Sequence, residues 1–483
     1  MDHETARRAT DAALARASEL ARAWAAGLDE RRVSPVASVT ELRARLGGPL
    51  PERGEDPVTT VEALAARADA GLVAAPGPRY FGFVTGGGVP AALAADWLAG
   101  AWDQNAAMHV MGPAASVAEE VAGAWAAELL GLPAGVSVGF TTGATMASFT
   151  ALASGRHALL GRAGWDVERD GLFGAPDVPV VVGEEAHVTI PAALGMLGMG
   201  RDRVTRVATD GQGRMRADAL ADVLAGVDRP ALVCAQAGNV NTGAFDPLPE
   251  IADLVRANGG WLHVDGAFGL WAAADPARRH LVAGAGRADS WTADSHKWLN
   301  VPYDSGLVFT AHPAAHHAAM TLGAAYYVEA AGGERDPYNW VAESSRRARG
   351  FAVWAAIRSL GRDGVAEMVG RTCDLARRFA AGLDAAPGLG IRVLNEVVLN
   401  QVLVRFDDPS GEAAAGDART DGVIGAVQAD GTMWAGGTMW RGQRAMRISV
   451  SGWRTTADDV DRSLEAIRRA AREVRTRPSH GPG

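Results

Sequence analysis

The sequence predicts an α/β protein with a mostly parallel central sheet flanked by helices, a helical N-terminal arm and a small α+β C-terminal domain. Three observations predict it. Between residues 90 and 362, short apolar runs alternate with helical stretches, the pattern of a sheet whose crossovers are helices. Residues 1–89 instead read as helix throughout. The chemically distinctive residues fall at or just beyond the ends of the predicted strands, where open α/β sheets place ligands.

Taken in order, residues 5–28 and 59–72 carry the Ala/Arg/Glu pattern of two helices. Such an arm is marginal in isolation and is expected to pack on a second copy of the chain. Residues 90–362 form the large domain, with strands expected at 137–140, 178–182, 231–236, 261–265, 290–293 and 306–309. Residues 363–476 form the small domain, with strands at 392–394 and 401–406. A Gly/Ala/Asp-rich insert at 407–421 is expected to be mobile. A helix comes next, then a hairpin from the duplicated Thr432-Met433-Trp434 and Thr438-Met439-Trp440, a strand at 446–450 and a final helix. Residues 477–483 read as a disordered tail.

Composition narrows the function. A net charge of −9 argues against nucleic acid as a main partner. No apolar run reaches membrane-spanning length, and the first ten residues do not resemble a signal peptide. Cys234 and Cys373 make a poor disulfide framework, so a reducing cytoplasm is expected.

Of the 47 basic side chains, one is a lysine, Lys297, and the rest are arginines. Arginine stays protonated, whereas a desolvated lysine amine can lose its proton and form a Schiff base. Lys297 stands in Asp-Ser-His-Lys-Trp, about thirty residues after the apolar run that ends on Asp265. A carboxylate buried at a strand end needs a cation, and the protonated ring nitrogen of pyridoxal phosphate is one. Thr141-Thr142-Gly143-Ala144-Thr145 follows a strand and opens a helix, offering free N–H groups and hydroxyls to a phosphate. His187 follows another strand. His312, His316 and His317 have helical spacing, but nothing accompanies them as a metal site, and they read as a solvated helix face.

Residues 140–152, His187 with its flanks, 235–246, 263–267 and 294–298 together resemble the group II pyridoxal-phosphate decarboxylases, the family of aromatic-amino-acid, glutamate and diaminobutyrate decarboxylases. The blocks occur in the family order, and the resemblance extends from about Pro76 to Thr456. It implies the fold type I architecture, a homodimer with active sites near the subunit interface, and removal of the α-carboxyl group of an L-amino acid. It further implies that Lys297 carries the cofactor as a Schiff base and Asp265 pairs with the ring nitrogen. His187 would stack on one ring face and Ala267 on the other. Gly143, Ala144, Thr145, Ser295 and His296 would hold the phosphate. Residues 325–327 lead into a stretch at 329–337 rich in Gly and charge, expected to be a mobile loop. Tyr338 matches the loop tyrosine that protonates the substrate carbon in animal members.

The substrate pocket departs from any one member. Asn239-Val240 replaces a Thr pair found in aromatic decarboxylases, and Ala107 stands near the place of a bulky aromatic. Phe83, Thr85, Ala107 and His109 are the expected pocket residues. The same electron sink serves other carbon–carbon lyases and oxidative deaminases, so these remain the alternative activity. Arg447 resembles a carboxylate-orienting arginine and reads equally well as structural.

Overall fold

The computed structural model describes residues 2–322 and 333–476. A seven-stranded sheet comprises β1 (Ser137–Thr141), β2 (Val180–Gly183), β3 (Thr205–Val207), β4 (Leu232–Gln236), β5 (Trp261–Asp265), β6 (Ser290–Asp294) and β7 (Gly306–Thr310). Its order is β1-β7-β6-β5-β4-β2-β3. The pairs from β3 through β6 are parallel, while β7 runs antiparallel to both β6 and β1. β4, β5, β6 and β7 are buried along their whole length because helices cover both faces, which explains why they read as continuous apolar runs rather than alternating ones. β3 escaped the sequence reading: it is a three-residue edge strand, Thr-Arg-Val, buried only at its last position.

Since β7 reverses direction twice over, the C-terminal ends of β1, β2, β4, β5 and β6 all open on one side of the sheet. Residues far apart in sequence converge there. Around them four tryptophans are fully buried, Trp271, Trp291 and Trp298 in one core and Trp261 in a separate cluster. Each indole N–H is satisfied: Trp261 by Ser290 Oγ at 2.9 Å, Trp271 by Asp294 O at 3.1 Å, Trp291 by Ala285 O at 2.8 Å and Trp298 by Thr372 Oγ1 at 2.9 Å. Truncating such a side chain to Ala costs about 3–5 kcal/mol.

The helix Gly350–Asp384 runs from this core into a second one, with a non-helical residue at Gly361. There an antiparallel sheet of order β10-β11-β9-β8 comprises β8 (Ile391–Val393), β9 (Gln401–Phe406), β10 (Gly436–Trp440) and β11 (Gln443–Ser449).

Two expectations about the small unit need correction. The insert at 407–421 is not loose: the helix Ala413–Asp430 begins inside it, and buried Arg419 donates to Leu389 O at 2.8 Å. Its alanines favour helix, and the arginine supplies the tertiary anchor. The hairpin, in turn, uses only the second Thr-Met-Trp copy, which lies in β10 and pairs with β11. The first copy bridges Tyr80, placing the Trp434 ring 5.1 Å from the Tyr80 ring and nearly parallel to it.

The helices His3–Ala26 and Pro57–Ala68 form where two helices were expected, a further short helix, Val39–Leu46, forms between them, and Asp2, Ser38 and Asp56 accept from the free N-terminal amides of the three. None of the three buries a residue. No helix among the described residues is long and apolar enough to cross a membrane.

Candidate active site

A cavity of about 400 Å³ lies at the converging strand ends. Lys297, Asp265, His187, Ala267, Gly143, Ala144, Thr145 and His296, eight residues singled out in the sequence, all line it.

β6 delivers the lysine. The chain beyond Asp294 turns tightly, with the amides of Ser295 and His296 both donating to Ser305 O at 3.0 and 3.1 Å. Trp298 is wholly buried, and Asn300 Nδ2 donates to Trp298 O and Ser451 O at 2.9 and 3.0 Å. Lys297 therefore projects from a fixed backbone. Its carbonyl packs so closely on Gly86 that a Cβ there would lie 1.9 Å away. Lys297 Nζ reaches Asp294 Oδ2 at 2.9 Å.

Asp265 ends β5, the neighbouring strand, and accepts from Ala267 N at 3.1 Å and Thr292 Oγ1 at 3.4 Å. His187 follows β2. Its Nδ1 meets Thr189 Oγ1 at 2.9 Å and accepts from Thr189 N at 3.4 Å, which leaves the ring proton on Nε2. Burial holds its pKa below the ordinary histidine value, with Asp265 pulling the other way.

The anion cradle is the start of the helix Ala144–Arg162, which has no side-chain cap, so its first amides are free for a ligand. His296 closes one side. Its Nδ1 accepts from Ser305 N at 3.1 Å, so Nε2 carries the proton, and burial lowers this pKa too. Small residues make the approach possible: a Cβ on Gly143 would meet His296 Cε1 at 3.1 Å, and one on Gly306 would meet Gly143 Cα at 2.5 Å.

These features fit pyridoxal phosphate. An amine, a carboxylate for a ring nitrogen, an imidazole and a methyl for two ring faces, and free amides for a phosphate line one cavity. Asp294 Oδ1 is buried with no hydrogen-bond partner beside that cradle.

Other predicted residues lie elsewhere. Ser295 is fully buried outside the cavity wall, its hydroxyl without a partner. Thr85 Oγ1 sits 3.4 Å from the hydroxyl of Tyr303, which does line the cavity. Phe83 stacks on Trp434 at 5.4 Å. Ala107 and His109 lie outside the wall, bound to the segment after residue 332: Ala107 O accepts from Tyr338 N at 2.9 Å, and His109 N donates to Asp336 Oδ1 at 2.8 Å.

Tyr338 itself is buried at 2% exposure and does not line the cavity of its own chain. Residues 323–332, including Tyr326, Tyr327 and the start of the expected loop, lie outside the described residues. Its described end is packed. Ser116 Oγ donates to Arg335 O at 2.6 Å, and the Arg335 guanidinium stands 4.9 Å from the Trp340 ring centre. His316 corrects another expectation. It is buried rather than solvated, bonded to Ser137 Oγ and Trp340 O, each at 2.9 Å. No group of metal-ligating side chains occurs among the described residues.

Asp294, Gln236, Thr189, Phe268 and Tyr303 line the cavity without having been singled out. Asp294 had a sequence signal, a carboxylate at a strand end three residues before the lone lysine.

The profile of the pyridoxal-dependent decarboxylase conserved domain matches residues 49–406. The chain belongs to this family. It is a pyridoxal-phosphate-dependent amino-acid decarboxylase, a carboxy-lyase. This decarboxylase is 32% identical over 392 residues to L-2,4-diaminobutyrate decarboxylase of Rhizobium meliloti (strain 1021), covering 80% of this chain and 76% of that one. It is 29% identical over 317 residues to aromatic-L-amino-acid decarboxylase of Bacillus atrophaeus, covering 64% of each. The solved structure of Oryza sativa TDC with PLP and tryptamine superposes with a TM-score of 0.89 at 22% identity, over 98% of this chain and 99% of that one. Mouse CSAD superposes with a TM-score of 0.87 at 22% identity, over 98% and 99%. At that identity, the two structures speak for the fold.

Proposed function

We propose that this decarboxylase removes the α-carboxyl group of an L-amino acid whose side chain is aromatic or otherwise apolar, with Lys297 as the residue that carries the cofactor. The observation supporting the chemistry is the convergence of Lys297, Asp265, His187 and the cradle 143–145 on one cavity. When bound, pyridoxal phosphate supplies an electron sink for the pair left behind by departing carbon dioxide. The residues around it do the rest.

Asp265, buried and fixed by Ala267 N, would keep the ring nitrogen protonated. His187 and Ala267 would cover the ring, and the amides of Ala144 and Thr145 with His296 Nε2 would hold the phosphate. Ser295 is left out of this set because it is buried and does not line the cavity. His187 lines the cavity and Tyr338 does not, which favours His187 over Tyr338 for returning a proton to the substrate carbon. Tyr338 reaches a cavity only if that cavity belongs to a second subunit.

The mouth supports the substrate class. Tyr303 lines the cavity with its hydroxyl 3.4 Å from Thr85 Oγ1, and the Tyr80 phenol, stacked on Trp434, is pushed up to about 12 by burial, with Tyr303 adding to it. The two carboxylates lining the cavity both lie at its floor, Asp265 accepting from Ala267 N and Asp294 Oδ2 meeting Lys297 Nζ.

A second copy suits the three N-terminal helices that bury nothing and the exposed Trp97, Leu98 and Trp102. Two buried, unpaired cysteines suit the cytoplasm.

Borohydride reduction of the loaded protein followed by peptide mapping tests the cofactor assignment, with the label expected on Lys297. A label elsewhere sinks it. Carbon dioxide release from aromatic, acidic and diamino acids tests the substrate class, and preference for a diamino acid would overturn that part.

A further inference from the structure

We propose that Asp294 is the proton-transfer partner of Lys297: it takes the proton that the lysine must lose before its nitrogen can bond a carbonyl carbon, and returns it when that bond is broken. The proposal rests on the reading that Lys297 carries the cofactor.

The geometry is specific. Asp294 ends β6, and its side chain is 2% exposed. Its backbone is pinned on both sides, N donating to Ala267 O at 2.8 Å and O accepting from Trp271 Nε1 at 3.1 Å. Oδ2 lies 2.9 Å from Lys297 Nζ and 3.6 Å from His296 Nε2. Oδ1 is buried, accepts no hydrogen bond, and looks onto the anion cradle, 3.6 Å from where a methyl on Gly143 would stand. One carboxylate thus faces the reacting amine with one oxygen and the phosphate site with the other.

Charge balance governs where the proton sits. With a proton on Lys297, the buried pair is balanced. A phosphate in the cradle places more negative charge beside Asp294, and bonding of the lysine nitrogen to carbon removes the cation. A buried carboxylate left beside an anion without a cation is strongly unfavourable. Moving one proton from Lys297 Nζ to Asp294 Oδ2 resolves both problems. One N–H bond breaks and an O–H bond forms on Asp294; when the nitrogen then bonds the carbonyl carbon, the carbonyl oxygen would leave as water with the two protons that remained on nitrogen. The electron pair stays on nitrogen as the nucleophile, and net charge is unchanged. Asp294 becomes a neutral acid that can donate to a phosphate oxygen. Release of Lys297 by the substrate's amine reverses the transfer.

The neighbouring groups are poorer acceptors. His296 Nδ1 is occupied by Ser305 N–H, and its Nε2 already carries the ring proton. Asp265 is held by Ala267 N and Thr292 Oγ1. His187 Nδ1 is held by Thr189.

Infrared difference spectroscopy between loaded and cofactor-free protein tests the proposal. Loading should produce the carbonyl stretch of a protonated carboxylic acid, shifted in heavy water and absent from loaded Asp294→Asn protein. A wild-type difference spectrum without that band overturns the proposal even if the variant cannot be folded or loaded. A band that persists in Asp294→Asn assigns the proton to another carboxyl and also overturns it. The variant should attach cofactor about 10²-fold more slowly, and unchanged attachment kinetics would count against the proposal. Borohydride fixation, run in parallel, separates these outcomes from failure of the Lys297 assignment.

Discussion

At the floor of the cavity, Asp265 and Asp294 end two adjacent strands that are buried along their length, and both carboxylates hang from backbone tied into the sheet. At the mouth, Tyr303 lines the cavity from a connecting segment and is 61% exposed, and Phe83, stacked on Trp434, is another connecting residue at 64% exposure. Phe83 and Val84 also hold φ angles of 54° and 57°, a region that non-glycine residues rarely occupy. Parallel-sheet geometry sets the floor, and chain crossings between segments distant in sequence set the mouth. Chemistry should therefore depend on the floor and choice of substrate on the mouth.

The largest test removes the floor's carboxylate. Asp265→Ala should lower kcat by about 10³-fold while the protein keeps its cofactor, read as carbon dioxide release against the absorbance of bound cofactor. Near-normal turnover would break the distinction at once. Gly86→Ala probes the seam where mouth meets floor, because its Cβ would collide with the Lys297 carbonyl at 1.9 Å. We expect about 1–3 kcal/mol of destabilisation by chemical unfolding, together with a displaced Lys297 and poor cofactor retention. The mouth should respond differently. Trp434→Ala removes the ring stacked between Tyr80 and Phe83. It should raise KM about tenfold with little change in kcat, and a kcat-only effect would contradict the division.

Two smaller effects sharpen the picture. Burial holds His263 down to about 4 and His316 down to about 3. Both are neutral in the folded protein, so their contribution is complete above the unfolded histidine value of about 6.5 and is lost as pH falls toward the folded values. Unfolding free energy should decline from pH 6 to pH 4, and His316→Gln should flatten that slope; an unchanged slope would refute the assignment. Smallest of all, Tyr338→Phe should change amine yield by less than about threefold, since the side chain is buried outside its own cavity. A rise in aldehyde with a fall in amine would instead make Tyr338 a proton donor acting on a second subunit.

The floor was legible in the sequence and the mouth largely was not. Lys297, Asp265, His187 and the 141–145 turn each carry a local signal: a unique residue type, a carboxylate ending an apolar run, a helix start rich in small residues. Tyr303 carries none, since a tyrosine in a polar connection is ordinary until Thr85 and His296 are found beside it, at 3.4 Å between hydroxyls and 4.5 Å between rings. Trp434 was assigned to a hairpin because its repeated tripeptide looked like a pair of strands. The bridge to Tyr80 that claims it spans more than 300 positions of sequence.

The sequence by itself determined the α/β class, the strands of the parallel sheet except the short β3, and a set of candidate residues that the fold gathers at one cavity, because apolar periodicity and residue chemistry are local properties. Tertiary structure alone decided that Asp294 faces Lys297, that Ser295 does not line the cavity, that His316 is buried, and that Tyr338 N bonds Ala107 O. Those outcomes depend on which side of a turn a side chain takes and what packs against it, and both are set by long-range strand order and helix packing rather than by any neighbour in the chain.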